Sequence, residues 1–363
     1  MKVAHLSIRH PASDNRLFYK QAVTLQKAGY HVNLIIPHPR DEIIQGINIL
    51  SLPEYKKRRD KILKNIPRTL IKSLKLNAKI YQLYDPELIP VGLVLKLLRK
   101  KIICDFSEDY YSDTFDKKWL GILKKPAAIY ISTLQKIALK TFDNIIAAEP
   151  EIESKFKSNK TILLRNFPVL SIRDNLADIS YEKNKFTLIY AGWLTRTRGI
   201  KEIIESLEYV NTDVEFLLMG KWEKGYKEEC EALSGWNSTT DLGFKPLSEV
   251  YSYTSSSDIG IVNFLPHPNH NEALPNKPFD YMASSIPFIF SNFKYWKSIF
   301  SECGLSVNPE DPKDIAEKIQ TLLENKELKI RLGKRGREFV ENQYNWETES
   351  KKLIKLYREL CKS

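Results

Sequence analysis

Long hydrophobic runs are missing from this 363-residue sequence. Its most apolar stretch, Leu88–Leu98, falls well short of the roughly 20 residues that span a bilayer and already contains Lys96. No membrane-spanning helix is therefore expected. The opening Met-Lys-Val-Ala-His-Leu-Ser-Ile lacks the apolar centre of a signal peptide and reaches His10-Pro11 before any cleavage site, so a cytoplasmic location is expected. Cysteine is sparse: Cys104, Cys230, Cys303 and Cys361 form no C-x-x-C pair and have no histidine at ligand spacing. That argues against a disulfide framework or a zinc site and for reduced thiols. Repeats and low-complexity tracts are absent too, which excludes a solenoid or a disordered chain.

What is present is an ordinary globular composition, 42% hydrophobic and 28% charged, with enough apolar residues to build a core. At roughly 100 to 200 residues per domain, the length suits two domains. Charge is unevenly divided between the halves: residues 1–170 hold 30 Lys/Arg against 16 Asp/Glu, and residues 171–363 hold 26 against 29. The excess concentrates in Tyr55–Lys79, where lysines and arginines interleave with Ile62, Leu63, Ile66, Leu70 and Leu74. A second basic segment, Lys117–Lys125, sets Trp119, Leu120, Ile122 and Leu123 between two lysine pairs. Both read as surfaces for an anionic membrane, where each basic residue contributes about 1 kcal/mol. The alternative is a solvated helix face with its apolar side in the core. No nucleic-acid-binding motif accompanies the charge, so nucleic acid is not an expected partner.

Short apolar runs alternate with helix-length amphipathic segments, the pattern of parallel sheets covered by helices. In the first half the expected strands are Val3–Ile8, Val32–Ile36, Ile102–Phe106 and Asn144–Ala148, with a helix Leu17–Ala28 closed by Gly29. A polar stretch, Ser171–Lys185, reads as a linker. The pattern then restarts with strands Thr187–Ala191, Glu215–Met219, Ile259–Asn263 and Pro287–Ser291 and helices Ile200–Glu208, Phe279–Ser284 and Pro312–Glu324. A last helix, Trp346–Leu360, is expected to pack on the first domain. Two such units in tandem imply a cleft between them, a usual ligand site.

The most informative stretch runs from Glu272 to Ser291 as loop, helix and strand. Asn276 suits an N-cap, Pro278 is tolerated in the first turn, and the free N–H groups there make an anion site to which Lys277 adds a full charge. Glu272 and Asp280 would flank that site and accept hydrogen bonds from sugar hydroxyls. Upstream, Gly192-Trp-Leu-Thr-Arg196-Thr-Arg198-Gly199 follows a strand and opens a helix. It brings two guanidinium groups, suited to gripping a diphosphate, to a strand's C-terminal end.

Here the sequence resembles a known family. Glu272 to Asp280 resembles the E-x7-E motif of retaining glycosyltransferase family 4, in the Pro-Asn-Lys-x-Phe-Glu-Tyr-Met form of bacterial surface polysaccharide enzymes. Gly192–Gly199, Leu242-Gly-Phe244-Lys-Pro with Ser257-Asp-Ile-Gly-Ile, Cys303–Pro312 and Arg337-Glu-Phe-Val with Tyr344-Asn-Trp-Glu resemble further family segments in order. So do Asp14-Asn-Arg16 with Lys20, Tyr84-Asp85-Pro-Glu-Leu and Asp105-Phe-Ser-Glu108-Asp-Tyr. The sequence departs from the pattern at Asp280, which replaces a glutamate, at Tyr84 and Ser107, where histidines are common, and at Trp193, where many relatives carry arginine.

The resemblance implies an α/β fold of GT-B architecture, two Rossmann-like domains facing across a cleft. Residues 1–168 would form the acceptor-side domain, 169–185 the linker, 186–345 the nucleotide-sugar domain and 346–363 a helix returning to the first domain. By position, Glu272 would meet the transferred sugar and Arg198 and Lys277 the diphosphate, standing in for a metal as the leaving group gains charge. Asp280 would meet the ribose, with Gly192, Arg196, Phe244 and Asn276 completing the donor site. Arg16, Lys20, Asp85 and Glu108 would lie on the acceptor side. The implied activity is metal-independent, retaining transfer of a hexose-type sugar, without a cofactor, from a nucleotide diphosphate sugar to a polyprenyl-linked or polysaccharide acceptor. The product would be an O-antigen, capsule or exopolysaccharide, made on the inner face of the cytoplasmic membrane. A non-catalytic scaffold of the same architecture is the alternative, and a nucleotide-sugar epimerase a distant third.

Overall fold

The computed structural model describes residues 1–107, 110–116, 118–173, 185–267, 270 and 274–362. Two compact units emerge, one made of Met1–Asn166 with Thr348–Ser363 and the other of Phe167–Glu347.

The first unit is built on eight strands: β1 (Lys2–Leu6), β2 (His31–Pro37), β3 (Glu42–Ile44), β4 (Ile47–Leu52), β5 (Ile80–Leu83), β6 (Lys101–Phe106), β7 (Asn144–Ala147) and β8 (Thr161–Leu163). Their order is β3-β4-β2-β1-β5-β6-β7-β8, parallel throughout except for the β3–β4 hairpin. Gln45 and Gly46 turn that hairpin with positive φ of 50° and 76°, as a two-residue turn of the I′ kind requires. β1, β2, β6 and β7 follow the apolar runs in the sequence. β5, Ile-Tyr-Gln-Leu, was hidden behind the basic stretch and interrupted by Gln82, whose amide is fully buried in hydrogen bonds with Gln21, Tyr84 and Asp105.

The helix Arg58–Leu76 turns two unlike sides to its surroundings. Ile62, Ile66, Leu70 and Leu76 pack against the core. Asn65, Thr69 and Ser73, one turn apart, are fully buried beside them. Asn65 Nδ2 donates to the Pro53 carbonyl, Thr69 Oγ1 to the Asn65 carbonyl, and Tyr81 OH to the Ser73 carbonyl. Leu63, Ile71 and Leu74 face solvent at 59%, 52% and 45% exposure, alongside the exposed Lys64, Arg68 and Lys75. The core therefore takes only part of the apolar residues of this segment. The helix packs beside helix Ile89–Leu97, which packs beside helix Lys124–Thr141, and these also expose Leu97, Ile129 and Tyr130. Ile122 and Leu123, in the second basic segment, are exposed as well.

The second unit has six parallel strands: β9 (Phe186–Leu194), β10 (Val214–Trp222), β11 (Thr239–Asp241), β12 (Ile259–Val262), β13 (Phe288–Ser291) and β14 (Gly304–Val307), ordered β11-β10-β9-β12-β13-β14. The chain runs outward from β9 to β11 and returns to β12 on β9's other side. The strand order reverses there, and a crevice opens at the carboxyl ends of β9 and β12, the usual ligand position in such sheets. β9 continues past the expected end at Ala191 through Gly192-Trp193-Leu194, paired with Gly220-Lys221-Trp222 of β10. In the linker region Leu170–Arg173 is helical, and 174–184 lie outside the described residues. The last helix, Trp346–Lys362, inserts Tyr357 into the first unit, where its hydroxyl donates to Gln82 Oε1 at 2.8 Å and lies 3.0 Å from His5 Nε2.

Candidate active site

The carboxyl end of β9 and the start of helix Asn276–Ala283 bring two cations together in the second unit. Gly192, with φ 151°, lets Lys277 approach: a Cβ there would lie 2.6 Å from Lys277 Nζ. After β9 the chain makes a 3-10 turn, Arg196–Arg198, and enters helix Ile200–Ser206 through Gly199 in the left-handed conformation. A side chain at Gly199 would collide with the Asn263 carbonyl at 2.0 Å, so the turn that aims Arg198 depends on glycine.

Arg198 stacks on Phe264, its Cζ 3.7 Å from the ring centre. Lys277 Nζ sits 4.7 Å from the Tyr190 ring centre and 5.6 Å from that of Phe264. Among the described residues neither cation forms an ion pair. Burial lowers the Arg198 pKa, and burial together with the like charge of Arg198 pushes Lys277 down to about 7, against a smaller pull from Asp280. These shifts mark charge held away from water, with no ion pair among the described residues to offset the burial.

Asn276 is the first residue of its helix rather than the cap. Pro275, extended at φ −69° and ψ 150°, takes the cap position and offers no side-chain acceptor, which leaves the first-turn N–H groups without a cap bond. Asp280 lies one turn along the same helix. Phe244 stands 68% exposed beyond β11, with Lys221 Nζ 4.9 Å from its ring centre. Arg196 turns elsewhere: it pairs with Glu223 at 3.0 Å and with Glu229 and stacks on Tyr226. Its charge is paired, whereas Arg198 forms no ion pair among the described residues. Glu272 lies outside the described residues.

In the first unit the expected acceptor residues divide. Arg16 and Lys20 are buried braces: Arg16 grips Asp105 through Nε and Nη2 and donates to the Leu164 carbonyl, and Lys20 donates to the carbonyl and side chain of Asn166. Their polar ends make these bonds inside the unit. Asp85, also buried, accepts from Ser7 Oγ at 2.8 Å and from the Ile8 amide at 2.7 Å. Glu108 lies outside the described residues. Tyr84 is buried with its hydroxyl donating to Gln21.

The half-buried groups at this edge are Arg9 and His10. Arg9 pairs with Asp85 at 3.3 Å and with Glu87. His10 Nδ1 lies 2.8 Å from Asp14. Burial opposes the charge on His10, but the Asp14 hydrogen bond and the Asp85 charge outweigh it and raise its pKa to about 9. Among the described residues no cluster of three His, Cys, Asp or Glu could hold a metal ion, and no helix is long and apolar enough to cross a membrane.

A parallel sheet thus carries two cations and an uncapped helix start at its topological switch point, the position where ligands bind in sheets of this kind. Residues 172–339, all within the bounds of this second unit, match the family model described as Glycosyl transferases group 1. The chain is 25% identical over 251 residues to a capsular polysaccharide biosynthesis glycosyltransferase of Staphylococcus aureus, covering 63% of this chain and 65% of that protein. It is 23% identical over 188 residues to the N,N'-diacetylbacillosaminyl-diphospho-undecaprenol alpha-1,3-N-acetylgalactosaminyltransferase of Campylobacter jejuni, covering 51% of this chain and 48% of that enzyme. The matched stretch thus spans under two thirds of the length of these curated relatives. Among solved structures, Anabaena HepE in complex with UDP and glucose superposes with a TM-score of 0.74 at 13% identity, over 99% of this chain and 100% of that one. The fold is that of the GT-B glycosyltransferases.

The aromatic faces under the two cations were not anticipated. Phe264 lies two positions past the end of β12, at the ligand edge of the sheet.

Proposed function

We propose that the protein is a retaining, metal-independent glycosyltransferase that moves a hexose-type sugar from a nucleotide diphosphate sugar to a lipid-linked envelope glycan. The observation that carries this reading is the convergence of Arg198 and Lys277, both without an ion-pair partner among the described residues, on the uncapped start of helix Asn276–Ala283. In the reaction the bond from the anomeric carbon to the diphosphate oxygen breaks and the acceptor hydroxyl oxygen bonds to that carbon on the same face. The hydroxyl proton passes to the departing diphosphate or to water. Negative charge grows on the leaving oxygens, where two fixed cations and a helix dipole stabilise it more in the transition state than in the ground state. These cations do the work a metal would otherwise do.

Glu272 is assigned to the transferred sugar by its place in the motif, Asp280 to the ribose and Phe244 to the base, whose face a solvent-exposed ring with a nearby lysine suits. The lipid-linked acceptor is supported by the Campylobacter relative's undecaprenyl diphosphate substrate. The contact with an anionic membrane is supported by exposed Leu63, Ile71 and Leu74 among the lysines and arginines of one helix and by Ile122 and Leu123 beside Lys125.

The testing experiment measures melting temperature with saturating UDP, GDP, dTDP or CMP, with and without EDTA. Ligand at about 100 times its dissociation constant adds about 2.7 kcal/mol. A shift with one nucleotide, unchanged by EDTA and lost in Arg198→Ala, is the expected result. No shift with any of them overturns the transferase reading in favour of the non-catalytic one.

A further inference from the structure

Cations that are wholly or partly buried in this protein mostly meet carboxylates. Arg16 has Asp105, Arg9 has Asp85 and Glu87, Arg196 has Glu223 and Glu229, and Lys329 has Asp258. Arg198 and Lys277 form no ion pair among the described residues and rest on aromatic rings instead. Phe264 serves both. Its ring is almost fully buried and is itself fixed from behind, 5.3 Å from Trp296 and 4.9 Å from His270. Its backbone is held by Ser291 Oγ, which donates to the Phe264 carbonyl at 2.8 Å. Tyr190, buried in β9, is fixed in turn by its hydroxyl donating to the Trp193 carbonyl at 3.0 Å.

A carboxylate would hold either cation in place but would also cancel its charge, and an incoming diphosphate would have to displace it. A ring face attracts the cation through its quadrupole and adds no net charge. A guanidinium stacked flat on a ring also keeps its N–H donors in its own plane, directed away from the ring and free for a bidentate oxyanion.

Resting on the reading of this site as a diphosphate grip, we propose that Phe264, with Tyr190, is a positioning residue that holds Arg198 and Lys277 in place without neutralising them. Phe264 acts through the cations and does not itself touch the substrate.

The test is titration calorimetry with UDP, GDP and dTDP on the full chain, as wild type, Phe264→Leu, Phe264→Tyr, Arg198→Gln and the Phe264→Leu/Arg198→Gln pair. Circular dichroism and melting curves check each fold first. Phe264→Leu is expected to weaken binding of the preferred nucleotide about tenfold. Phe264→Tyr, which restores the ring face, should bind within about twofold of wild type, and the double variant should lose less than the sum of the two single losses, keeping only the part that passes through Lys277. Should Phe264→Leu fail to fold, Phe264→Met takes its place in the cycle. Wild-type affinity in the ring-less variant, or losses that simply add in the double variant, would overturn the proposal. A wild-type protein that binds none of the three diphosphates would overturn the underlying reading before any variant is compared.

Discussion

The two units hold positive charge at the carboxyl edges of their sheets in opposite ways. In the first, Arg9, His10 and Arg16 are tied to Asp85, Glu87, Asp14 and Asp105, so each charge is spent on holding the unit together. In the second, Arg198 and Lys277 rest on Phe264 and Tyr190 and form no ion pair among the described residues, which on the proposed reading leaves their charge for a ligand. Equal residue types thus do unlike work, and what separates them is the partner. Removing a carboxylate in the first unit should cost stability, whereas removing a cation in the second should cost binding and turnover.

The largest effect is expected at Asp105. It accepts from Arg16 and Gln21 in a fully buried network, so Asp105→Ala leaves an uncompensated guanidinium inside the first unit. Breaking a buried pair in this way costs about 3–5 kcal/mol. Urea unfolding should register that loss, while nucleotide affinity per folded molecule stays at the wild-type value. An unchanged unfolding midpoint would mean that the Arg16 brace is not structural.

Arg198→Ala should reverse that profile. Loss of one preorganised charge on a leaving group costs about 10²–10³ in kcat, with melting temperature nearly unchanged. Arg196→Ala, removing a cation already paired with Glu223 and Glu229, should lower kcat far less. Equal losses in the two variants would erase the distinction between the paired and the unpaired arginine.

Sequence could identify these arginines as a pair but not tell them apart, because the partners that decide their roles are distant. Glu223 and Glu229 follow Arg196 in sequence by 27 and 33 positions, and Asp105 follows Arg16 by 89. Gly192, Lys277 and the helix start at Asn276 were legible because each declares itself locally, by a glycine after a strand or a lysine in a first turn. Phe264 was not, since an aromatic residue after an apolar strand reads as core, and it is core as well as cradle. β5 was lost for the same reason in reverse: Gln82 reads as a surface residue until its buried partners Gln21, Asp105 and Tyr357 are known.

Acidity offers a finer cut through the second unit. Lys277, with its pKa pushed down to about 7, must be protonated to grip a diphosphate. Affinity for a nucleotide sugar, whose diphosphate diester does not itself titrate near neutrality, should be constant below about pH 6. It should fall by up to tenfold per pH unit above 7 as the free protein loses that proton. Lys277→Arg keeps its charge across this range and should flatten the profile. A wild-type affinity constant from pH 6 to pH 9 would place the lysine outside the grip.

The first unit carries a smaller dependence of the same sign, centred higher in pH and read in stability rather than binding. His10 has its pKa raised to about 9 by Asp14 and Asp85, against burial and the nearby Arg9. A raised folded-state pKa stabilises fully below the unfolded value near 6.5, and that stabilisation is lost as pH rises through about 9. The ring is close to a third exposed, so solvent screening discounts the full linkage to about 1 kcal/mol. Urea unfolding at pH 6 and pH 10 should show that much more loss in wild type than in His10→Gln, because other groups titrating over the interval contribute equally to both proteins. If the two proteins lose stability in parallel, the pKa of His10 is not raised by folding and its pairing with Asp14 adds nothing to stability. The edge of the first unit would then be held by Arg9 and Arg16 alone.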